Sequence, residues 1–337
     1  MRLSNGAVKF SLTDRTGIEG AMKNKNILAH SVALVTIIVW GTTFVATKLL
    51  LEQFSAAEIL FIRFMLGYAA LACVSIPDFL SNKNKPVRTF LQELYFAAAG
   101  LTGVTLYYLL ENIALTYSTA SNVGIIVAIA PIFAALFASY FLEGEKISGK
   151  FITGFVIAFS GIILVSLNGK FVLRLNPAGD ILAALAAVIW AVYSILQKKI
   201  QAFGYSVIVL TRKTFFYGLV FMVPALAIMG FDPDLHALAE PEIIAAFLYL
   251  GVGACAVCFA TWNFALHVLG AMKTSAYIYL VPFVDILFAS WILKERITPA
   301  ALIGTLLILS GLYLSERRTR PVKKITAAVA AVSADQE

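Results

Sequence analysis

Charged residues are scarce in this sequence. Asp, Glu, Lys and Arg make up 13% of the 337 residues, 60% are hydrophobic, and the mean hydropathy is +0.87. Soluble domains carry about 25% charged residues, so this chain has too little polar surface to cover a soluble core of its size. The composition therefore excludes an ordinary soluble protein and predicts one that lies in a lipid bilayer.

Residues that build catalytic or redox centres are also few. The three histidines, His30, His236 and His267, have no metal-ligand spacing, and the sequence contains no HExxH motif and no GxxxxGK[ST] phosphate loop. Cys255 and Cys258 have the CxxC spacing, but they stand among Gly and Ala residues, a pattern typical of close packing between membrane helices. We therefore expect no enzyme, no metal, no cofactor and no ATP-driven pump.

The long apolar runs predict membrane-spanning helices. About 20 apolar residues cross a bilayer as a helix, and these runs lack the ten-residue alternation of a membrane β-barrel. The predicted fold is therefore an all-α integral membrane protein with ten transmembrane helices. The predicted spans are 27–50, 57–76, 92–114, 119–142, 150–168, 178–199, 206–229, 241–266, 272–293 and 299–316.

The second half of the chain repeats the first. The stretch PIFAALFASYFLEGEKIS, from Pro131, returns as PFVDILFASWILKERIT, from Pro282, and other residues recur at offsets of 149 to 151. Each half holds five spans, and because five is odd the second half enters the bilayer upside down. This predicts an inverted 5+5 repeat, an architecture of secondary transporters. Further recurring pairs are Trp40 with Trp190, Arg63 with Arg212, Asn112 with Asn263, and Gly161 with Gly311.

Basic residues predict the orientation. Of the 26 Lys and Arg, 20 lie on one side of the predicted spans and 5 on the other, so both termini should face the cytoplasm. The net charge of +7 follows from this asymmetry, and no nucleic-acid partner is predicted. The predicted parts are a cytoplasmic arm (1–26), a first repeat (27–168), a connecting loop (169–177), a second repeat (178–316) and a basic, disordered cytoplasmic tail (317–337).

Four stretches carry a family resemblance. WGTTFVATKLL from Trp40, LFIRF from Leu60, ENIALTYSTASNVGIIVAIAPIF from Glu111 and FALHVLGAMKTSAYIYLVP from Phe264 resemble the EamA-domain branch of the drug/metabolite transporter superfamily. The resemblance covers about residues 27–316. It implies ten helices, an inverted repeat, and a central cavity that moves small metabolites, such as amino acids or related compounds, usually outward.

Charged side chains within the spans are the first site candidates, because each costs about 2.5–3.5 kcal/mol at a helix centre. Asp285 lies three residues after Pro282, so both share one helical face. Asp285 is interpreted as a proton, cation or substrate-amine site, or as a neutral carboxyl bonded within the bundle. Glu111 either couples protons at the cavity mouth or reaches the outer interface. Arg63 either snorkels to an interface or binds a substrate carboxylate.

Polar and aromatic residues complete the candidate site. Asn112 and Asn263 either join helices by hydrogen bonds or contact substrate. Pro131 and Pro282 are predicted hinges or unwound points, since proline removes a backbone donor and kinks helices. Four aromatic residues are interpreted either as a cavity lining that stacks flat groups or holds an ammonium, or as packing between helices. They are Trp40, Trp190, Tyr193 and Tyr107.

These features together predict a secondary transporter that exports small metabolites by alternating access across the inner or plasma membrane. Its expected partners are the bilayer and a small-molecule substrate, with protons and a second copy of the chain left open. The alternatives are a membrane-embedded enzyme, a non-transporting scaffold and a channel-like facilitator.

Overall fold

The computed structural model describes residues 12–50, 53–76, 89–117, 123, 126–143, 145–167, 177–281, 283–284, 287–288 and 298–316. Within these residues every regular segment is helical and there is no β-strand. The helices are α1 (Leu12–Leu50), α2 (Ala56–Val74), α3 (Phe90–Gly100), α4 (Tyr107–Tyr117), α5 (Ala130–Phe141), α6 (Gly149–Leu167), α7 (Pro177–Gln201), α8 (Val207–Met229), α9 (Pro241–Leu248), α10 (Cys258–Leu269), α11 (Ala271–Ala276) and α12 (Pro299–Glu316).

The predicted all-α membrane class is confirmed. Among the described residues, six helical stretches are long and apolar enough to cross a membrane. Three shorter apolar helices cover Ala130–Phe141, Gly149–Leu164 and Leu302–Ser315. The six long stretches are Asn24–Thr43, Ala56–Val74, Phe90–Ala114, Pro177–Gln201, Val207–Met229 and Pro241–Leu269.

The first helix is longer than its predicted span. α1 begins at Leu12, well before the predicted start at residue 27. Residues 12–26 contain no proline to stop a helix, so the helix continues into the polar part of the chain that the sequence assigns to the cytoplasmic arm.

Two π-helical segments interrupt the long helices at matching places. Leu101–Leu106 joins α3 to α4, and Tyr249–Val257 joins α9 to α10. Their last residues, Leu106 and Val257, are 151 positions apart, which is the offset of the sequence repeat. Such segments insert an extra residue into the turn and are frequent at functional sites.

Helices α6 and α12 pack closely through glycine. A Cβ added at Gly154 would lie 2.6 Å from the Gly311 carbonyl oxygen, and one added at Gly161 would lie 2.4 Å from that of Gly304. The 150-residue repeat converts the first contact into the second, because it relates Gly154 to Gly304 and Gly161 to Gly311. The two helices therefore run antiparallel, and the repeat relates their two glycine contacts to each other.

Pro131 lies at the start of a helix. It is the second residue of α5, where the missing N–H costs no intrahelical hydrogen bond. The residues before it, Ala128 and Ile129, form a turn. The predicted span 119–142 therefore contains a break just before Pro131. Pro282, Asp285, most of the connecting loop and the tail lie outside the described residues.

Candidate functional site

An aromatic cluster occupies the centre of the bundle. Trp40 of α1 meets Trp190 of α7 with ring centroids 5.7 Å apart, and Trp262 of α10 with centroids 5.1 Å apart. Phe259, one turn before Trp262, lies 5.5 Å from the Trp40 ring. Most of these contacts are edge-to-face or tilted, the geometry that aromatic pairs prefer. Aromatic side chains thus form a contact between helices of the two halves of the chain.

Arg63 lies beside this cluster, inside the bundle. Its residue is only 7% exposed, and its Nε donates a hydrogen bond to the Cys255 sulfur at 3.3 Å. The guanidinium carbon lies 4.6 Å from the Tyr108 ring centroid and 5.3 Å from that of Phe64, within cation–π range. The guanidinium therefore contacts a thiol and two aromatic rings inside the bundle.

Glu111 provides the opposite charge. The Tyr107 hydroxyl donates to Glu111 Oε1 at 3.1 Å, one turn along α4. Tyr108, the residue after Tyr107, has the Arg63 guanidinium over its ring, so Arg63 and Glu111 contact neighbouring tyrosines, and Glu111 is half-buried. The Tyr107 ring packs on Trp190, with centroids 4.9 Å apart. A cation, a carboxylate and the aromatic cluster therefore form one continuous site.

A hydrogen-bonded network adjoins the site. The Tyr193 hydroxyl donates to Asn263 Oδ1 at 3.5 Å, and Asn263 Nδ2 donates to Thr211 Oγ1 at 3.0 Å. All three residues are fully buried, and they join α7, α8 and α10. Asn263 thus makes the interhelical bonds expected of a buried amide. Asn112, its partner in the repeat, lies half-buried on α4 next to Glu111.

Two buried indole N–H groups have no acceptor among the described residues. They belong to Trp190 and Trp262, which are 4% and 0% exposed. Trp40 differs, because its Nε1 donates to the Ala254 carbonyl oxygen at 3.0 Å, within the second π segment. A buried donor without a partner costs about 1–3 kcal/mol. These two indole N–H groups are therefore unsatisfied within the described part of the chain.

Cys255 and Phe259 show where sequence reasoning falls short. The sequence predicts only a packing role for Cys255 and no site role for Phe259. A signal for Phe259 was present, since the 151-residue offset pairs it with Tyr108, and pairs Trp262 with Glu111. Cys255 has no such signal, because its equivalent is Val104. In the described part of the chain, no group of acidic, His or Cys side chains could hold a metal ion.

Comparison with known proteins identifies the family. Residues 27–167, and again residues 177–317, match the EamA-like transporter family. The chain belongs to this family. The matched segments cover most of the sequence and coincide with the two runs of predicted spans on either side of the connecting loop.

Alignments with relatives cover nearly the whole membrane region of this EamA-like chain. It is 28% identical over 292 residues to an "Uncharacterized transporter" of Archaeoglobus fulgidus, covering 86% of this chain and 98% of the relative. It is 30% identical to a "Probable terminal-alkyne amino-acid exporter" of Streptantibioticus cattleyicolor, covering 85% and 92%. It is 27% identical to a "Probable amino-acid metabolite efflux pump" of Escherichia coli, covering 84% and 93%.

A solved structure has the same fold. It is a crystal structure that superposes with a TM-score of 0.70 at 18% sequence identity, covering 85% of this chain and 97% of that one. At this identity the likeness concerns the fold alone. The helix arrangement of this EamA-like chain is therefore one that a crystallised protein adopts.

Proposed function

We propose that the protein is a secondary transporter that exports small amphipathic metabolites by alternating access. The observation that carries the proposal is the buried Arg63, which lies with Glu111 beside an aromatic cluster made by helices of both halves. Charged side chains within membrane-spanning helices are costly. The position of these two residues at the contact between the halves favours a substrate or coupling role.

The inverted repeat supplies the proposed movement. The symmetric glycine contacts between α6 and α12 and the matching π segments support a pseudo-two-fold relation between the halves. Rocking of one repeat against the other would expose a site between them alternately to each side. Pro131, at the break before α5, is the proposed bending point in the first half; Pro282 is the proposed one in the second.

The chemistry of the site fits a substrate with both polar and flat or apolar parts. Arg63 can bind a carboxylate, the Trp190 indole N–H can donate to it, and the aromatic faces can hold an ammonium. Glu111 is the proposed coupling group, because a carboxylate can exchange a proton when the site opens. Asp285 remains a second coupling candidate.

The names of the relatives support an amino-acid-related substrate. One relative is named as a terminal-alkyne amino-acid exporter and another as an amino-acid metabolite efflux pump. We infer that this chain exports compounds of similar chemistry from the cytoplasm, with both termini on the cytoplasmic side. Reporter tags at each end, read in intact cells, test that orientation, and tags on opposite faces would contradict the ten-span topology.

Counterflow in proteoliposomes tests the transport proposal. Vesicles loaded with an unlabelled amino-acid mixture should accumulate external labelled tracer above its equilibrium level and then lose it. Such an overshoot requires exchange through a carrier, and a channel-like facilitator would equilibrate without one. Arg63→Gln should abolish the overshoot, whereas Lys150→Gln, which removes an exposed charge at the start of α6, should retain it. Equal overshoot in both variants would contradict the assigned site.

A further inference from the structure

A cavity lies away from the aromatic site, where α2, α3 and α8 meet. It has a volume of about 600 Å³. Its wall combines two basic residues, one acidic residue, three tyrosines and apolar side chains. The lining residues are Tyr68, Thr89, Phe90, Glu93, Tyr205, Val209, Arg212, Lys213, Phe216 and Tyr217.

The described residues balance the charges on this wall only in part. Glu93 accepts hydrogen bonds from Lys213 Nζ and, at 2.8 Å, from the Tyr217 hydroxyl. Among the residues that line the cavity, Glu93 is the one acid. Arg212 donates from Nη1 to the Ser75 hydroxyl, a neutral acceptor, at 2.5 Å. A guanidinium has five N–H donors, so Arg212, which forms no ion pair with a described residue, brings a positive charge and further donors to the cavity.

The cavity opens beside a surface suited to lipid. Phe90 is 87% exposed and Phe216 47% exposed, and both line the cavity. Val220, one turn after Phe216, is also exposed, so an apolar row continues along α8. Polar, cationic groups therefore meet an outward apolar surface at the start of α3 and α8. In the orientation proposed above, both helices start at the cytoplasmic face.

We propose that this cavity binds an anionic phospholipid of the cytoplasmic leaflet. Its phosphate would lie on Arg212, and its acyl chains would follow Phe216 and Val220. Basic pockets between membrane helices on the cytoplasmic side are suited to such head groups. A soluble anion would bind the cationic side chains but would not contact the apolar row. A lipid would contact both and therefore fits the whole site better.

A lipid bound here would couple to the transport helices. α2 contributes Tyr68 to the cavity and Arg63 to the central site, and α8 contributes Arg212 to the cavity and Thr211 to the Asn263 network. The head group would therefore stabilise one packing of α2 against α8. The assignment to a leaflet rests on the proposed function, whereas the binding itself does not require transport.

Thermal unfolding of the purified full-length protein in non-ionic detergent tests the proposal. The protein is titrated with phosphatidylglycerol, phosphatidylcholine, glycerol phosphate or inorganic phosphate, and native mass spectrometry counts the lipids retained. We expect phosphatidylglycerol to raise the melting temperature and to be retained. Arg212→Gln should weaken its apparent affinity about fivefold, while Lys150→Gln should leave it unchanged. Val209→Trp fills the cavity without removing a charge and should also weaken the apparent affinity for phosphatidylglycerol.

Three other outcomes would overturn the proposal. An equal shift with phosphatidylcholine, or equal shifts in wild type, Arg212→Gln and Val209→Trp, would mean non-specific lipid contact. An equal shift with the soluble phosphates would mean a site for free anions. If Arg212→Gln does not fold, Val209→Trp and the lipid count on the wild type still decide the matter. The assay contains no transported substrate, so its failure is distinct from failure of the counterflow assay.

Discussion

The Nε of Arg63 donates a hydrogen bond to the sulfur of Cys255, across the contact between α2 and the second π segment, at 3.3 Å. Both residues are buried. A π segment shifts the side chains that follow its extra residue, and this one presents Cys255 to the arginine and the Ala254 carbonyl oxygen to Trp40. The irregular stretch of helix thus orients two residues of the candidate site.

For stability and transport, the presence of a hydrogen-bond acceptor at position 255 should matter more than whether that acceptor is sulfur. Cys255→Val removes the acceptor and leaves a buried Arg63 donor unpaired, which should lower the free energy of unfolding by about 1–3 kcal/mol and reduce counterflow. Cys255→Ser keeps an acceptor of similar size and should stay close to wild type. Thermal unfolding and initial counterflow rates measure both effects, and equal behaviour of the two variants would show that the hydrogen bond has no role.

Glu111 should control the pH dependence of exchange. Gln has the shape of a protonated Glu but cannot release a proton, so Glu111→Gln should retain exchange and lose its variation with pH. Tyr107→Phe removes the hydroxyl that donates to Glu111 but keeps the carboxylate, so its profile should still vary with pH. Counterflow rates at a series of pH values measure this. If the pH profile of Glu111→Gln is like that of the wild type, Glu111 is not the coupling group, and Asp285 is the next residue to test.

The two kinds of indole should respond differently to substitution. Trp190→Phe removes an N–H without a partner in the described part of the protein, so it should raise the KM for substrate about tenfold if that group binds substrate, with little change in stability. Trp40→Phe removes the bond to Ala254 and should lower the melting temperature. Transport kinetics and thermal unfolding separate the effects. An unchanged KM in Trp190→Phe would contradict substrate contact at this indole.

Glycine should be required where α6 meets α12. In Gly161→Ala the new methyl group would lie 2.4 Å from the Gly304 carbonyl oxygen and 2.8 Å from the Ile308 nitrogen. Both are backbone atoms, so the helices must separate, at a cost of about 1–3 kcal/mol. Gly149→Ala on the same helix meets no atom within 4 Å and should be neutral or slightly stabilising. Melting temperatures in detergent compare the pair, and equal values would contradict close packing here.

Much of the site could be named from the sequence, but the surroundings of each residue could not. Arg63 and Arg212 are equivalent in the repeat, so the sequence predicts similar surroundings for both. In the structure Arg63 lies in the central site, bonded to Cys255, whereas Arg212 lies in a separate cavity, bonded to Ser75. Residues at equivalent positions therefore have different neighbours, because the sequences of the two halves differ around them.

The sequence by itself determined that this protein is helical, lies in a membrane, repeats itself and belongs to the EamA-like family. These properties follow from composition, from the lengths of apolar runs and from residue identities, all of which are local to the chain. The tertiary structure alone decided that Arg63 points inward, that Glu111 and the tryptophans share its site, and that the second π segment supplies hydrogen-bond acceptors to Arg63 and Trp40. The direction of a side chain depends on the rotation of its helix, which is set by packing between residues far apart in the sequence.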